Sequence, residues 1–445
     1  MRHLLSNLRN LLGLGSQTKL TSNYDKLSRP QLIKKIEQLE SKLNQTESFN
    51  YTNLKKKSRR PFDITQYRQR KIALKVAYLG WNYSGFASLK EKSYSTVEEE
   101  IFKALQKCSL IANPNDCNYS RGGRTDKGVS GLGQVISLNV RSTKRKTTAS
   151  LEDERDLPYI NMINSFLPDD IRILAWAPVS PTFNARFDCT SRTYKYFFKK
   201  DKQDLEKMRE AASYMIGSHD FRNFCLLDPA RNLQHYTREI LSFDIQHVDD
   251  DFYEVKLKGT GFLWHQVRYI MSILFLVGQK LESPAVVKDL LNISKLPARP
   301  DYPLTSGIPL MLYDCEYKGI DWIYEHPREQ KEGRSSTVAP TRLNAPVVTH
   351  THFSQLWESN AIKGLLYKEC LNRVEQLSVT ANGQKVSLLN YMDQTQGYSK
   401  VLLGEGKHIT TSKYRALLGR AMADSDTVKM KKYRLKQKKK LENVQ

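Results

Sequence analysis

Apolar residues recur at two periods along the middle of the chain. Residues 71–80, KIALKVAYLG, place Ile72, Leu74, Val76 and Tyr78 at alternate positions, which predicts a strand. Val97, Ile101 and Leu105 then fall on one face of a helix over 97–108, with Thr96 and Glu99 spaced as a capping box. The same reading gives strands at 134–140, 171–179, 192–198 and 310–317. It gives helices at 159–167, 205–217, 261–278 and 286–293. Residues 239–248 and 252–259 read as a hairpin across the acidic turn Asp249, Asp250 and Asp251. The apolar run from Phe262 to Val277 contains Trp264, His265, Gln266 and Arg268, so its unbroken part is too short to span a bilayer and predicts a buried helix.

Strands separated by helices in each half indicate an α/β or α+β body, with two related halves as the extended reading. No repeat proves a duplication. Upstream, Leu32, Ile36, Leu39 and Leu43 follow the seam of a short coiled coil, capped by Ser28 and Gln31. A surface helix fits that pattern equally well. Lys55, Lys56, Lys57, Arg59, Arg60 and Pro61 read as a linker. The expected organisation is an extension over 1–69, body halves over 70–190 and 191–320, and a second extension over 321–445. A polar insertion occupies 142–156, and periodicity weakens beyond about residue 330. The tail KMKKYRLKQKKK reads as disordered or RNA-touching.

Charge changes this picture. Of the net +23, residues 1–70 carry +10 and residues 399–445 carry +9, so the basic character sits at the two ends. That distribution fits a polyanionic partner, or two solvated tails. Cys108, Cys117, Cys189, Cys225, Cys315 and Cys370 form no C-x-x-C pair and have no histidine at metal spacing, which argues against a zinc site or disulfide framework. His350 and His352 read as solvent-facing loop residues. The start, MRHLLSNLRNLLGLGSQTK, has leucines and arginines without acids, as a mitochondrial presequence does, and a short basic helix explains it too.

The densest chemical signal is the loop from Ser120 to Val129, SRGGRTDKGV. Its glycines allow close backbone approach to a ligand. Arg121, Arg124 and Lys127 surround one carboxylate, Asp126, and nearby positive charge favours an ionised carboxylate that can act as nucleophile or general base. The plainer reading is a turn in which Asp126 pairs with Arg124. The loop lacks the G-K-[ST] ending of an ATP-binding loop and the spacing of a dinucleotide turn.

With G-R-T-D-K-G-V-S followed by Q-V-I-S-L, the chain resembles the TruA-like pseudouridine synthases. Three further blocks resemble that family in order: A-R-F-D-C-T-S-R-T-Y-K-Y at 185–196, G-F-L-W-H-Q-V-R at 261–268, and L-P-A-R-P with S-G-I-P-L-M-L-Y within 296–313. The W-H-Q form and D-F-R-N-F-C at 220–225 resemble the eukaryotic branch acting on tRNA positions 38 and 39. Gly122 and Gly131 depart from the residues common there, Cys and Ala, with little effect expected because both stay small.

The resemblance implies a fold of two similar halves, antiparallel or mixed sheets flanked by helices around a central cleft. It implies an isomerase that uses no cofactor and no metal, with tRNA as partner, a homodimer, and no membrane association. Nuclear and cytoplasmic residence follows from it, with a mitochondrial fraction as the alternative. Asp126 would attack C1′ of the target uridine or take the C2′ proton, and uracil would rejoin through C5. Tyr194 would stack on the flipped base and help remove the C5 proton, or be a core aromatic in line with Tyr196 and Phe198. Arg268 would pair with Asp126, or with another acid. Arg124 would fill the space the nucleotide vacates. Arg121, Lys127, Trp264 and His265 complete the expected RNA-contacting set. The rival functions are a catalytically silent RNA-binding protein on the same scaffold and a phosphate-binding enzyme using S-R-G-G-R.

Overall fold

The computed structural model describes residues 62–88, 95–145, 157–228, 233, 235–324, 345–377 and 398–442. The chain divides into two compact units, residues 1–63 and 64–445, and only Phe62 and Asp63 of the first are described. The leucine seam, the basic linker, the presequence-like start and most of the polar insertion lie outside the described residues.

Nine strands of the second unit form one mixed sheet. In chain order they are β1 (Tyr67–Tyr78), β2 (Ser120–Arg121), β3 (Ser130–Arg145), β4 (Ile171–Pro178), β5 (Cys189–Lys199), β6 (Gly217–Asp220), β7 (Thr237–Asp249), β8 (Phe252–Gly259) and β9 (Leu310–Tyr317). Across the sheet the order is β4-β1-β3-β9-β5-β8-β7-β6, with β2 added on β3. Neighbours are antiparallel except β3 and β9, which run parallel where Ser130 and Gly131 meet Met311 and Leu312. That short seam joins the amino-terminal strands to the carboxy-terminal ones.

Alternation along the strands sorts residues to the two faces. On one face Ile72, Leu74 and Val76 of β1 and Ile136, Leu138 and Val140 of β3 form a core with α1 (Val97–Lys107) and α2 (Tyr159–Asn164). The capping expected at α1 is present: Thr96 Oγ1 accepts from the Glu99 backbone N–H at 3.4 Å. On the opposite face Ala73, Val135, Ala185, Leu312 and Cys315 make a small second cluster. The large third core gathers β5, β7 and β8 with α3 (Leu205–Ser213), α4 (Gln266–Gly278) and α5 (Val286–Leu291). Every residue of α4 except Arg268 is buried, as its apolar run requires.

The helix expected over 261–278 begins only at Gln266. His265 sits at φ 62°, a left-handed conformation that costs a non-glycine residue about 1–2 kcal/mol and stops the helix from extending further back. Beyond residue 330 there is more regular structure than the periodicity indicates. An antiparallel hairpin, β10 (Ser399–Gly404) and β11 (Lys407–Thr411), follows α6 (Ala345–Leu377). Val401 and Leu417 enter the same core as α4, and Gln279 at the end of α4 bonds both Lys400 O at 2.7 Å and the Leu402 N–H at 3.1 Å. The basic tail, read as disordered or RNA-touching, forms α7 (Asp426–Glu442). His350 and His352 lie on α6 rather than in a loop, and His352 Nε2 lies against Asp169 O and Arg172. No helix among the described residues is long and apolar enough to cross a membrane.

Candidate active site

The loop between β2 and β3 is pinned on both sides. The Gly122 N–H donates to Val135 O at 2.7 Å, and the buried Gln134 amide bonds Gly123 at both N and O. Tyr78 and Thr125 share a hydroxyl hydrogen bond of 2.8 Å behind the loop. The Val129 N–H returns to Asp126 O at 3.1 Å, closing a turn in which Gly128 sits at φ 80°. A side chain at Gly128 would therefore be strained. The arginine of β5, Arg192, then ties three segments together: its guanidinium donates to Gly122 O at 2.7 and 3.2 Å, to Thr260 O at 3.0 Å and to Arg186 O at 3.1 Å.

This framework fixes Asp126 at the wall of a cavity of about 700 Å³. Its carboxylate meets two side chains from the residues preceding α4. Trp264 donates Nε1–H to Oδ1 at 3.2 Å, and His265 Nε2 lies 3.4 Å from Oδ2. The left-handed turn at His265 lets these consecutive residues leave the helix end toward the cavity. Such strained residues persist where the surrounding structure over-determines them, commonly at functional sites.

The direct Asp126–Arg268 pairing that the resemblance implies is not formed. Arg268 lines the same cavity, but its Nε donates to Thr305 O at 2.8 Å while Thr305 Oγ1 donates back to Arg268 O at 2.7 Å. Burial lowers the Arg268 guanidinium from its ordinary value, and the charge of Asp126 opposes that shift. The two therefore interact through space without contact.

Nor do the loop's cations surround the carboxylate. Arg121 Nη1 pairs with both oxygens of the buried Glu98 on α1, at 2.5 and 2.6 Å. Lys127 lines a second cavity of about 300 Å³ with Trp81, Ser306 and Lys407, and Arg268 lies on the wall of both. Arg121 and the exposed Arg124 remain on the wall of the large cavity with Asp126, Tyr194, Trp264, His265 and Arg268. Alternating residues in a turn point different ways, so closeness in sequence did not make closeness in space.

Tyr194 reaches the cavity from β5, its ring edge-to-face with Phe262 at 5.1 Å and 84°. Burial, then Cys315, push its phenol above its ordinary value, so it is protonated at neutral pH. Tyr196 and Phe198 share its strand face but lie in the core under α4. Arg192, Arg238, Phe187 and Phe262 also line the cavity and were not singled out from the sequence. The signal available for Arg192 was its place two residues before Tyr194, on the same strand face.

The two departures from the family pattern have local causes. A Cβ at Gly122 would lie 2.8 Å from the Tyr317 hydroxyl, and one at Gly131 would lie 2.6 Å from ring carbons of Tyr78. The bulky tyrosines exclude larger residues at both positions. No group of acids, histidines and cysteines capable of holding a metal occurs among the described residues.

Sequence comparison bears on what the cavity is for. The family model described as tRNA pseudouridine synthase matches residues 211–318. A Bos taurus protein called tRNA pseudouridine(38/39) synthase is 38% identical over 389 residues, covering 80% of this chain and 77% of its own. The Saccharomyces cerevisiae protein of the same name is 43% identical over 328 residues, covering 68% and 74%. A Methanosarcina mazei protein called tRNA pseudouridine synthase A is 36% identical over 222 residues, covering 50% and 76%. With relatives matched along most of their length, the chain belongs to the TruA-like family of tRNA pseudouridine synthases.

Proposed function

We propose that this enzyme isomerises uridine to pseudouridine at positions 38 and 39 of tRNA, with Asp126 as the catalytic carboxylate. The observation that carries the reading is the convergence in one cavity of Asp126 from the glycine-rich loop, Tyr194 from β5, and Trp264, His265 and Arg268 from the start of α4. A stacked uridine is out of reach of any carboxylate, so the nucleotide is extruded into the cavity, at a cost of a few kcal/mol of lost stacking. The Tyr194 ring offers a face for the flipped base. Burial raises its phenol above the ordinary value, which disfavours the phenolate form at neutral pH. Asp126 acts at the sugar, by attack at C1′ or by removal of the C2′ proton. The N1–C1′ bond breaks, uracil turns within the cavity and C5 bonds C1′; the C5 proton passes to water and N1 takes up one in exchange. The Arg268 guanidinium supplies positive charge near the carboxylate without bonding it directly. Arg124, exposed at the rim, is placed to fill the space of the extruded nucleotide.

A homodimer belongs to the same proposal. On α6, Trp357, Leu366, Tyr367 and Leu371 are each more than 60% exposed, an apolar surface of the kind a second copy covers. A monomer mass by light scattering at micromolar concentration would remove that part.

The chemistry is tested by incubating wild type and Asp126→Ala with unmodified tRNA bearing uridine at 38 and 39. Carbodiimide-dependent reverse-transcription stops then map the product. Stops from wild type alone support both the reaction and the residue. Tight tRNA binding without stops from either protein favours the silent RNA-binding reading, and stops at other positions overturn the site assignment.

A further inference from the structure

We infer that Phe187 and Arg186 form a preorganised platform at the cavity mouth that stacks on a nucleobase of the tRNA other than the target uridine. A single exposed phenylalanine is ordinary on a protein surface. This one is different in where it stands and how firmly its loop is held. The residue is 76% exposed yet lines the active-site cavity.

The loop that presents it is tied at almost every residue. Asn184 Oδ1 accepts from the backbone N–H groups of Arg186 at 2.9 Å and Phe187 at 3.4 Å. Asp188 Oδ2 accepts from the Asn184 N–H, and the Asp188 N–H donates to Asn184 O. Ala185 is fully buried, its N–H donating to Ser120 Oγ at 2.9 Å and its carbonyl accepting from Tyr317 at 2.6 Å. Arg192 holds Arg186 O and, with the same guanidinium, Gly122 O of the catalytic loop. An ordered loop spends this many hydrogen bonds to hold an apolar ring in water, and the ring packs into none of the three cores.

Charge identifies the occupant. Arg186 places its guanidinium 5.5 Å from the Phe187 ring centre, and Arg124 and Arg238 share the cavity wall. An aromatic face among arginines suits a nucleic-acid base with its phosphate, and it reads stacking rather than base edges. The target base is taken by Tyr194 deeper in the cavity, which leaves Phe187 for a neighbour in the loop. Binding that neighbour would hold the tRNA loop against the cavity mouth before the uridine reacts.

The inference rests on the tRNA-modifying reading. The test uses the full chain and ligated, unmodified tRNA carrying one abasic nucleotide, moved in turn through each anticodon-loop position other than the target. Single-turnover kinetics are followed for wild type, Phe187→Ala and Phe187→Trp. On intact tRNA, Phe187→Ala should raise the half-saturating tRNA concentration about 5- to 150-fold, the range for one lost base–aromatic stack. The maximal rate should stay near wild type, and Phe187→Trp should restore binding. At one abasic position wild type and Phe187→Ala should become equal. If Phe187→Ala matches wild type on intact tRNA, or its defect persists undiminished at every abasic position, the platform is overturned. An inactive wild type would instead overturn the function proposed above.

Discussion

Trp264→Phe is the substitution that isolates how Asp126 is held. It keeps an aromatic ring and deletes the indole N–H that reaches Oδ1, at 3.2 Å. A hydrogen bond to a charged group contributes about 1.5–3 kcal/mol. This bond is longer than the usual ~2.7–2.9 Å of charge-assisted contacts, which places it at the lower end. About 1.5 kcal/mol is a little over tenfold in rate. His265 Nε2, 3.4 Å from the other oxygen, remains, so the carboxylate loosens but is not released. The maximal single-turnover rate of pseudouridine formation should fall about 10- to 20-fold. The half-saturating tRNA concentration should move less than about threefold, because an interaction that positions a reacting group acts mainly on the chemical step. His265→Asn, which tolerates the left-handed backbone, should behave alike, and the double variant should lose more than either. The reasoning is refuted if Trp264→Phe keeps its maximal rate. If only tRNA affinity falls, Trp264 is an RNA contact and not a carboxylate holder.

Two further outcomes are expected. Gly131→Ala should lower the melting temperature and cost about 1–3 kcal/mol of stability, because its Cβ would press on the Tyr78 ring at 2.6 Å and Tyr78 supports the catalytic loop through Thr125; unchanged melting would show that the ring gives way freely. Denaturant unfolding should show stability falling above about pH 10: burial raises the phenols of Tyr78, Tyr83, Tyr194 and Tyr302 above their ordinary value, so the unfolded chain releases those protons while the folded one keeps them. A flat profile from pH 9 to 11 would refute it.

Local pattern carried much of the fold into view. The period-two run Ile72-Leu74-Val76-Tyr78 is β1, Thr96 caps α1, and Asp249–Asp251 turn the β7–β8 hairpin. The apolar run after Arg268 is the most deeply buried helix. These features are set by side-chain spacing and turn chemistry within about ten residues, which a sequence displays directly. The ordered blocks around Asp126, Tyr194 and Arg268 likewise pointed to one site, and all three line one cavity.

The tertiary structure decided what depends on residues far apart meeting. Strand order is such a property: β9 slots between β3 and β5, and nothing in its own pattern says so. The weak periodicity beyond residue 330 concealed that Val401 and Leu417 fill the core against α4, since two apolar residues in a polar stretch make no period. The partners of the charges were decided there too. Arg121 looked like a neighbour of Asp126 and instead turns to Glu98, while Trp264, 138 residues further along, supplies a donor to its carboxylate and His265 lies beside the other oxygen. A sequence by itself determined which residues this protein has for chemistry and roughly which elements carry them. Only the folded chain could determine which of them touch, because a hydrogen bond is a matter of a few tenths of an ångström between atoms whose positions are set by the packing of the whole sheet.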